Sequence, residues 1–305
     1  MSGSWLGEFL VLYSKQVAQG VAPGREFMLA SRGIAFDRDG KGGIRPIAVG
    51  DLIYRLVAKA LLRFYSRVEC LLPYQLGVGS VGGTEPVIRA AEGGLEGFLP
   101  EAYEYVVQLD FSNAFNSASR VHATRVVKEH CPLLLRASKW AYDEPSHVVF
   151  MGDEGVHPVL SSSGVRQGDP LAPFLFSLSI RKTLARLKDH LSSFPSSSTT
   201  PPLILAYLDD IVLLTNDPLT IQRTSSFLTS IRSSLSLNVN KSTIDSFDSI
   251  RNNGINLLGT AVGSRAFRLN FFTKKVQQQV DIISRLPSLS FQSAFILTKR
   301  CIQQN

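Results

Sequence analysis

Cysteine is scarce. The three present, Cys70, Cys131 and Cys301, stand far apart with no C-x-x-C pair, so neither a disulfide framework nor a structural zinc site is written into the chain. Such usage fits a reducing compartment. Long apolar runs are missing too, since none reaches the ~18 residues of a membrane span. The apolar stretch at 5–13 carries Glu8, follows no basic residue and has no clear cleavage site, unlike a signal peptide. The expectation is a soluble, intracellular protein with no membrane partner. No internal repeat is found, which excludes solenoids and propellers. Low complexity is confined to a Ser/Pro-rich stretch at 191–202, read as a surface loop that marks no domain boundary.

Acidic residues are nearly absent from one end. Residues 251–305 hold eight basic side chains (Arg251, Arg265, Arg268, Lys274, Lys275, Arg285, Lys299, Arg300) against Asp281 alone, which equals the net charge of +7 of all 305 residues. A second positive region, 25–67, has nine basic groups and four acids. Such ends are either solvated surface or the two sides of a groove that touches a phosphate backbone. With 44% hydrophobic and 19% charged residues, the chain is neither disordered nor fibrous. At ~150 residues per domain it makes two domains or one large enzyme fold with sub-domains.

Apolar periodicity predicts a helix over 4–19, two extended runs at 26–36 and 44–49 around a flexible basic tip, and a helix from an Asp51 cap to about residue 71. A helix to about 96, with Thr84 as its cap, and a buried strand at 105–109 follow. Helices are expected at 120–130 and 133–142, a hairpin at 148–160, and a helix over about 174–190. Strong strands at 203–208 and 211–214 precede a helix over about 218–235.

Tyr207-Leu208-Asp209-Asp210 puts adjacent carboxylates at the tip of an apolar hairpin. Two like charges at ~4 Å repel by ~4 kcal/mol at an effective dielectric of ~20, so the pair needs cations or a proton; the bland alternative is a simple turn. Asp110 ends the other buried strand, where it serves either as a helix cap or as a ligand. If the two strands are neighbours, three carboxylates converge on one edge. Two Mg²⁺ ions need that arrangement to activate a hydroxyl and stabilise departing pyrophosphate.

The residues resemble the reverse transcriptases of non-LTR (LINE-type) retrotransposons. The likeness runs in order through Lys41-Gly42-Gly43-Ile44-Arg45-Pro46-Ile47-Ala48-Val49, Tyr74-Gln75-Leu76-Gly77 and Leu109-Asp110-Phe111-Ser112-Asn113-Ala114-Phe115-Asn116-Ser117. It continues through Gly164-Val165-Arg166-Gln167-Gly168-Asp169-Pro170-Leu171-Ala172-Pro173, Ala206-Tyr207-Leu208-Asp209-Asp210, Leu237-Asn238-Val239-Asn240-Lys241-Ser242 and Leu257-Leu258-Gly259. Seven ordered segments across about 25–285 are far more specific than any one.

The resemblance implies an α+β right-hand polymerase fold, with fingers and palm and a partial thumb. Residues 1–100 would be mainly fingers. Residues 101–250 would be mainly palm with inserted helical segments, and 251–305 the primer grip and start of the thumb. It implies RNA-directed DNA polymerase activity: an RNA template is copied by adding dNTPs to the 3′-hydroxyl of a DNA primer, with an RNA–DNA duplex held in the groove. Asp110, Asp209 and Asp210 would hold two Mg²⁺ ions, or Mn²⁺ in their place, with Lys241 protonating the leaving group. Lys41 and Arg45 would bind the triphosphate. Phe111 would add a carbonyl, Phe115 would be the steric gate against ribonucleotides, Gln167 would position the nucleotide, and Gly168 would allow close backbone approach. Tyr207, Leu208, Leu258 and Gly259 would meet primer and template. The plain alternatives are a core ring for Phe115, solvated turns for Lys41 and Lys241, and an Asp-Pro turn for the 166–170 loop.

Leu208 stands where this family most often has Ala. No endonuclease, ribonuclease H or Cys/His knuckle is recognised in the sequence. The expectation is therefore an isolated polymerase domain, a piece of a retrotransposon polyprotein, or a decayed copy. Competing readings are a non-catalytic nucleic-acid-binding remnant of the same fold and a maturase-like or RNA-copying polymerase.

Overall fold

The computed structural model describes residues 4–37, 44–99, 102–153, 155–194 and 200–298. Lys41, positions 195–199 of the Ser/Pro stretch, and Lys299 and Arg300 lie outside the described residues. The chain forms two compact units, Met1–Val87 with Tyr105–Ile244, and Ile88–Glu104 with Asp245–Asn305.

The first unit opens with α1 (Ser4–Gln19), which buries Tyr13 and Val17 at helical spacing. A single turn, α2 (Arg25–Met28), comes where the sequence expects extended chain. Gly24, at φ 67, starts that turn, so the strand is delayed to Ser31. β1 (Ser31–Asp37) and β2 (Ile44–Gly50) then pair as a hairpin, from Ser31 with Gly50 to Asp37 with Ile44. Asp51 caps α3 (Leu52–Tyr65), its Oδ1 accepting the N–H of Ile53 at 2.7 Å. The helix buries Tyr54, Val57, Ala58 and Leu61. It stops short of the expected residue 71, because Ser66 is extended and a 3-10 turn, Val68–Leu71, takes over.

After α4 (Glu85–Glu96) come strand β3 (Tyr105–Leu109), the short α5 (Ala114–Ser117), and helices α6 (Arg120–His130) and α7 (Leu135–Tyr142). The hairpin of β4 (Ser146–Gly152) and β5 (Gly155–Ser161) leads to α8 (Ala172–Ser192). A second hairpin, β6 (Leu203–Tyr207) and β7 (Asp210–Thr215), precedes α9 (Thr220–Ser230) and β8 (Thr243–Ser246). α9 is shorter than its periodicity predicts. Ser230 turns its hydroxyl back to the Phe227 carbonyl, Arg232 is left-handed at φ 49, and Ser233 Oγ accepts the Leu235 N–H, so serines take over the backbone.

Two four-stranded sheets result. One, in the order β2-β1-β4-β5, joins its hairpins by parallel pairing of Ser31, Arg32 and Gly33 with Val148, Val149 and Phe150. The other has the order β6-β7-β3-β8. In it β7 is buried from Ile211 to Thr215 and β3 at Val106, Val107 and Leu109, as the aliphatic runs require. Every α8 residue from Phe174 to Ile180 is buried, and Phe176 and Leu184 pack in one core with Val107 and Leu213.

The second unit is smaller. The chain of α10 (Phe247–Asn253) is tied at Phe247 N–H to the Glu104 carbonyl, and Arg251 reaches the Leu95 carbonyl at 2.8 Å. β9 (Ile255–Leu257) and β10 (Thr260–Val262) form a two-residue hairpin whose loop, Leu258 at φ 49 and Gly259 at φ 82, has the two positive angles of a type I′ turn. With most of α4, two further helices complete it, α11 (Arg265–Arg285), capped by Ser264, and α12 (Phe291–Leu297); neither of these two buries a residue. No helix among the described residues is long and apolar enough to cross a membrane.

Candidate active site

The sheet register assembles the acidic edge. Leu109 of β3 faces Ile211 of β7, so Asp110, the next residue, leaves β3 at the end where Asp210 begins β7. Tyr207 pairs with Asp210, which makes Leu208 and Asp209 a two-residue loop. The Asp210 carboxyl is pushed above the ordinary aspartate value, first by loss of surrounding water and then by Asp209; Arg45 pulls it down, and Asp110 adds a smaller push. Asp209 and Asp110 thus both bear on Asp210 at one edge, with the exposed Arg45 within electrostatic reach.

That donor set suits a hard divalent cation, which takes oxygen ligands. Mg²⁺ commonly binds through one or two carboxylates with water and substrate phosphate making up the rest. Among the described residues no group of three or more His, Cys, Asp or Glu side chains is arranged to hold an ion by itself.

Backbone ties hold the strand ends. The Asp110 carbonyl accepts the Asn238 N–H at 2.8 Å and its N–H donates to Ser242 Oγ at 3.1 Å, while that hydroxyl donates to the Asn238 carbonyl. Lys241 sits inside this turn, its own N–H on the Asn238 carbonyl, with its side chain exposed. Phe111 forms a bridge with Leu237 and is buried. At the turn, both the N–H and the carbonyl of Leu208 are hydrogen-bonded by the side-chain amide of Gln75, a buried residue that belongs to the resemblance but that no role singled out in the sequence.

The 164–173 segment packs on β2. Gln167 offers its carbonyl to Ala48 N–H at 2.7 Å, and Gly168 adopts φ 103 with no room for a side chain, since a Cβ would stand 2.5 Å from the Ala48 carbonyl oxygen. Gly168 thus makes a close approach to the neighbouring strand β2. Beneath it, Arg166 and Asp169 are buried and paired at 2.6 Å; Asp169 accepts the Tyr54 hydroxyl at 2.9 Å and the Leu171 N–H, and Arg166 lies 4.4 Å over the Tyr142 ring. Burial foremost, and Asp169 next, lift the Tyr54 and Tyr142 hydroxyls well above the usual tyrosine value, so both stay neutral donors. Arg166 is thus a bolt inside the loop's foundation.

Phe115 is 7% exposed and stacks on Phe176 with ring centres 4.5 Å apart, while its carbonyl accepts the Val165 N–H. The ring is fixed in place by the core. Leu258 and Gly259 occupy the type I′ turn of the second unit.

Comparison with known proteins agrees with this geometry. A family model described as reverse transcriptase (RNA-dependent DNA polymerase) matches residues 36–262. The retrovirus-related Pol polyprotein from the type-1 retrotransposable element R2 of Popillia japonica is 29% identical over 118 residues, covering 36% of this chain and 18% of that polyprotein. Together these findings support the non-LTR retrotransposon affiliation expected from the seven segments. Among solved structures, apo telomerase of Candida tropicalis, truncated from its C-terminal domain, superposes with a TM-score of 0.53 at 12% identity over 79% of this chain and 54% of that one. Telomerase of the same organism in complex with a TWJ fragment of telomeric RNA gives 0.53 at 13% identity over 87% and 48%. The chain therefore spans about half the length of these structures and less than a fifth of the polyprotein. The shared fold is the right-hand polymerase fold, mixed helix and sheet. A match over most of its length, on a fold that gathers Asp110, Asp209 and Asp210 at one sheet edge, shows that the chain belongs to the reverse transcriptase family.

Proposed function

We propose that this chain is an RNA-directed DNA polymerase domain of the non-LTR type, adding deoxynucleotides to a primer 3′-hydroxyl on an RNA template. The observation that carries the reading is the sheet register, which brings Asp110 to the strand end where Asp209 and Asp210 turn. Two divalent metal ions, Mg²⁺ or Mn²⁺, held by the three aspartates with the Phe111 carbonyl, would supply Lewis-acid activation of the hydroxyl and neutralise charge on the departing pyrophosphate.

The chain's own groups do the rest. Arg45 on β2 binds the triphosphate bidentately and brings it to the acidic edge, with Lys41 adding a second positive charge. Phe115 lies under the sugar and excludes a 2′-hydroxyl. Gln167 and Gly168, set on Ala48, form the floor for the new base pair. Lys241, in the turn bonded to Asp110, gives its proton to pyrophosphate. In the first unit Tyr207 and Leu208 meet primer and template; in the second, Leu258 and Gly259 are the primer grip and the basic helix α11 follows the duplex backbone through phosphate contacts. In this reading 1–100 is mainly fingers, 101–250 mainly palm, and 251–305 primer grip and start of the thumb.

The test is extension of a labelled DNA primer on an RNA template with Mg²⁺ and dNTPs, comparing the chain with Asp209→Asn. Extension by the parent alone is expected. Failure of both, with duplex binding intact, would overturn polymerisation in favour of a non-catalytic binding domain.

A further inference from the structure

We propose that Gln75 is a positioning residue for the Asp209 and Asp210 turn, gripping the Leu208 peptide so that the two carboxylates keep their place; the importance of that turn rests on the polymerase reading above. Gln75 is 0% exposed. Its Nε2 donates to the Leu208 carbonyl at 2.9 Å and its Oε1 accepts the Leu208 N–H at 3.1 Å. One orientation of the amide satisfies both bonds, which fixes its oxygen and nitrogen.

Leu208 needs such a grip. Its φ of 59 lies in the left-handed region that side chains other than those of Gly and Asn avoid. The next two residues are adjacent carboxylates, and like charges side by side repel, so an unsupported loop would relax by parting them. Bridging both polar groups of one residue takes a donor and an acceptor on one planar group at full side-chain reach. Glu lacks the donor, Lys lacks the acceptor, and Asn is a methylene short.

The segment bearing Gln75 is itself anchored. Leu76 N–H donates to the Ala206 carbonyl at 2.7 Å and Ala206 N–H donates to the Tyr74 carbonyl at 2.8 Å, so the segment runs beside β6 as a short parallel bridge. Gly77 allows the approach, because a Cβ there would stand 2.8 Å from the Leu208 nitrogen. A buried Gln that only satisfied its own amide could bond any backbone. This one is spent on the residue preceding Asp209.

Two variants test the proposal, Gln75→Met, which keeps the volume and removes both bonds, and Gly77→Ala, which keeps Gln75 and pushes the segment off Leu208. Each is compared with the parent and with Asp209→Asn. In the metal-free proteins, hydrogen exchange at the Leu208 amide is expected to accelerate while β3 amides keep their protection. In primer extension kcat should fall by about 100-fold, the scale of a 1 Å misplacement, with the KM for dNTP and the affinity for duplex held. Unchanged exchange at Leu208, or a loss confined to KM, would overturn the proposal while an active parent and an inactive Asp209→Asn kept the polymerase reading. If neither parent nor Asp209→Asn extends a primer, the polymerase reading fails, and exchange at Leu208 alone decides whether Gln75 holds the turn. Should Gln75→Met not fold, Gly77→Ala decides the same question.

Discussion

The acidic edge of the first unit and helix α11 of the second are both charged, yet they are held in shape by opposite means. Asp110 and Asp210 grow from strands buried in the core, and the backbone around them is tied to Asn238, Ser242 and Gln75. α11 buries no residue, and within its own span it relies on helical bonds and the Ser264 cap. Nucleotidyl transfer needs groups placed to a fraction of an ångström. A phosphate backbone needs only positive charge at roughly the right spacing. The difference teaches where precision is required: the fold commits its core to the carboxylates and leaves the basic helix to solvent.

The largest break in that contrast would come from Asp209→Asn. Extension should fall by at least about 10³-fold, with duplex binding unchanged or tighter, and retained extension would remove Asp209 from the chemistry. On stability, Arg166→Met should cost about 3–5 kcal/mol by urea denaturation, because it strands Asp169 in the core. Lys275→Met on exposed α11 should stay within about 0.5 kcal/mol, and equal effects would erase the comparison.

Phe115→Ala should admit ribonucleotides and, because the ring is stacked on Phe176, also cost about 3–5 kcal/mol; unchanged sugar discrimination would make Phe115 a core ring only. Replacing Lys274 and Lys275 with Gln should flatten the salt dependence of duplex binding by about 0.9 for each phosphate that is no longer neutralised, and an unaltered slope would take α11 off the backbone. The smallest effect belongs to Asp210→Asn. Since the folded value of Asp210 is raised, its ionised form costs stability, and that cost appears as pH rises above the ordinary aspartate range. The variant should therefore melt slightly higher than the parent at neutral pH and no higher in strong acid. A lower melting point at neutral pH would mean that Asp210 is not crowded.

Much of this was legible in the sequence, for physical reasons. The strand at Tyr105–Leu109 and the hairpin around Asp209 announce themselves by aliphatic runs that only a covered sheet can use, and the spacing of Tyr13 and Val17 gives α1. What escaped depends on partners distant in sequence. Nothing local to Arg166 says that it points into the core toward Ser146 and Tyr142. Nothing near Gln75 says that its amide meets a peptide 133 residues away. The early end of α9 was hidden because the apolar rhythm continues to Leu235 while the serines between divert the backbone.

The parallel pairing of Ser31, Arg32 and Gly33 with Val148, Val149 and Phe150 has a consequence in time. During synthesis the hairpin of β1 and β2 leaves the ribosome with one edge unpaired, and its partner strand follows only after roughly a hundred further residues. At ordinary elongation rates that delay is on the order of ten seconds, far longer than a hairpin needs to form. The nascent chain therefore carries an open strand edge at Ser31, Arg32 and Gly33 through the making of the helices between, and β4 must close it before a neighbouring chain does.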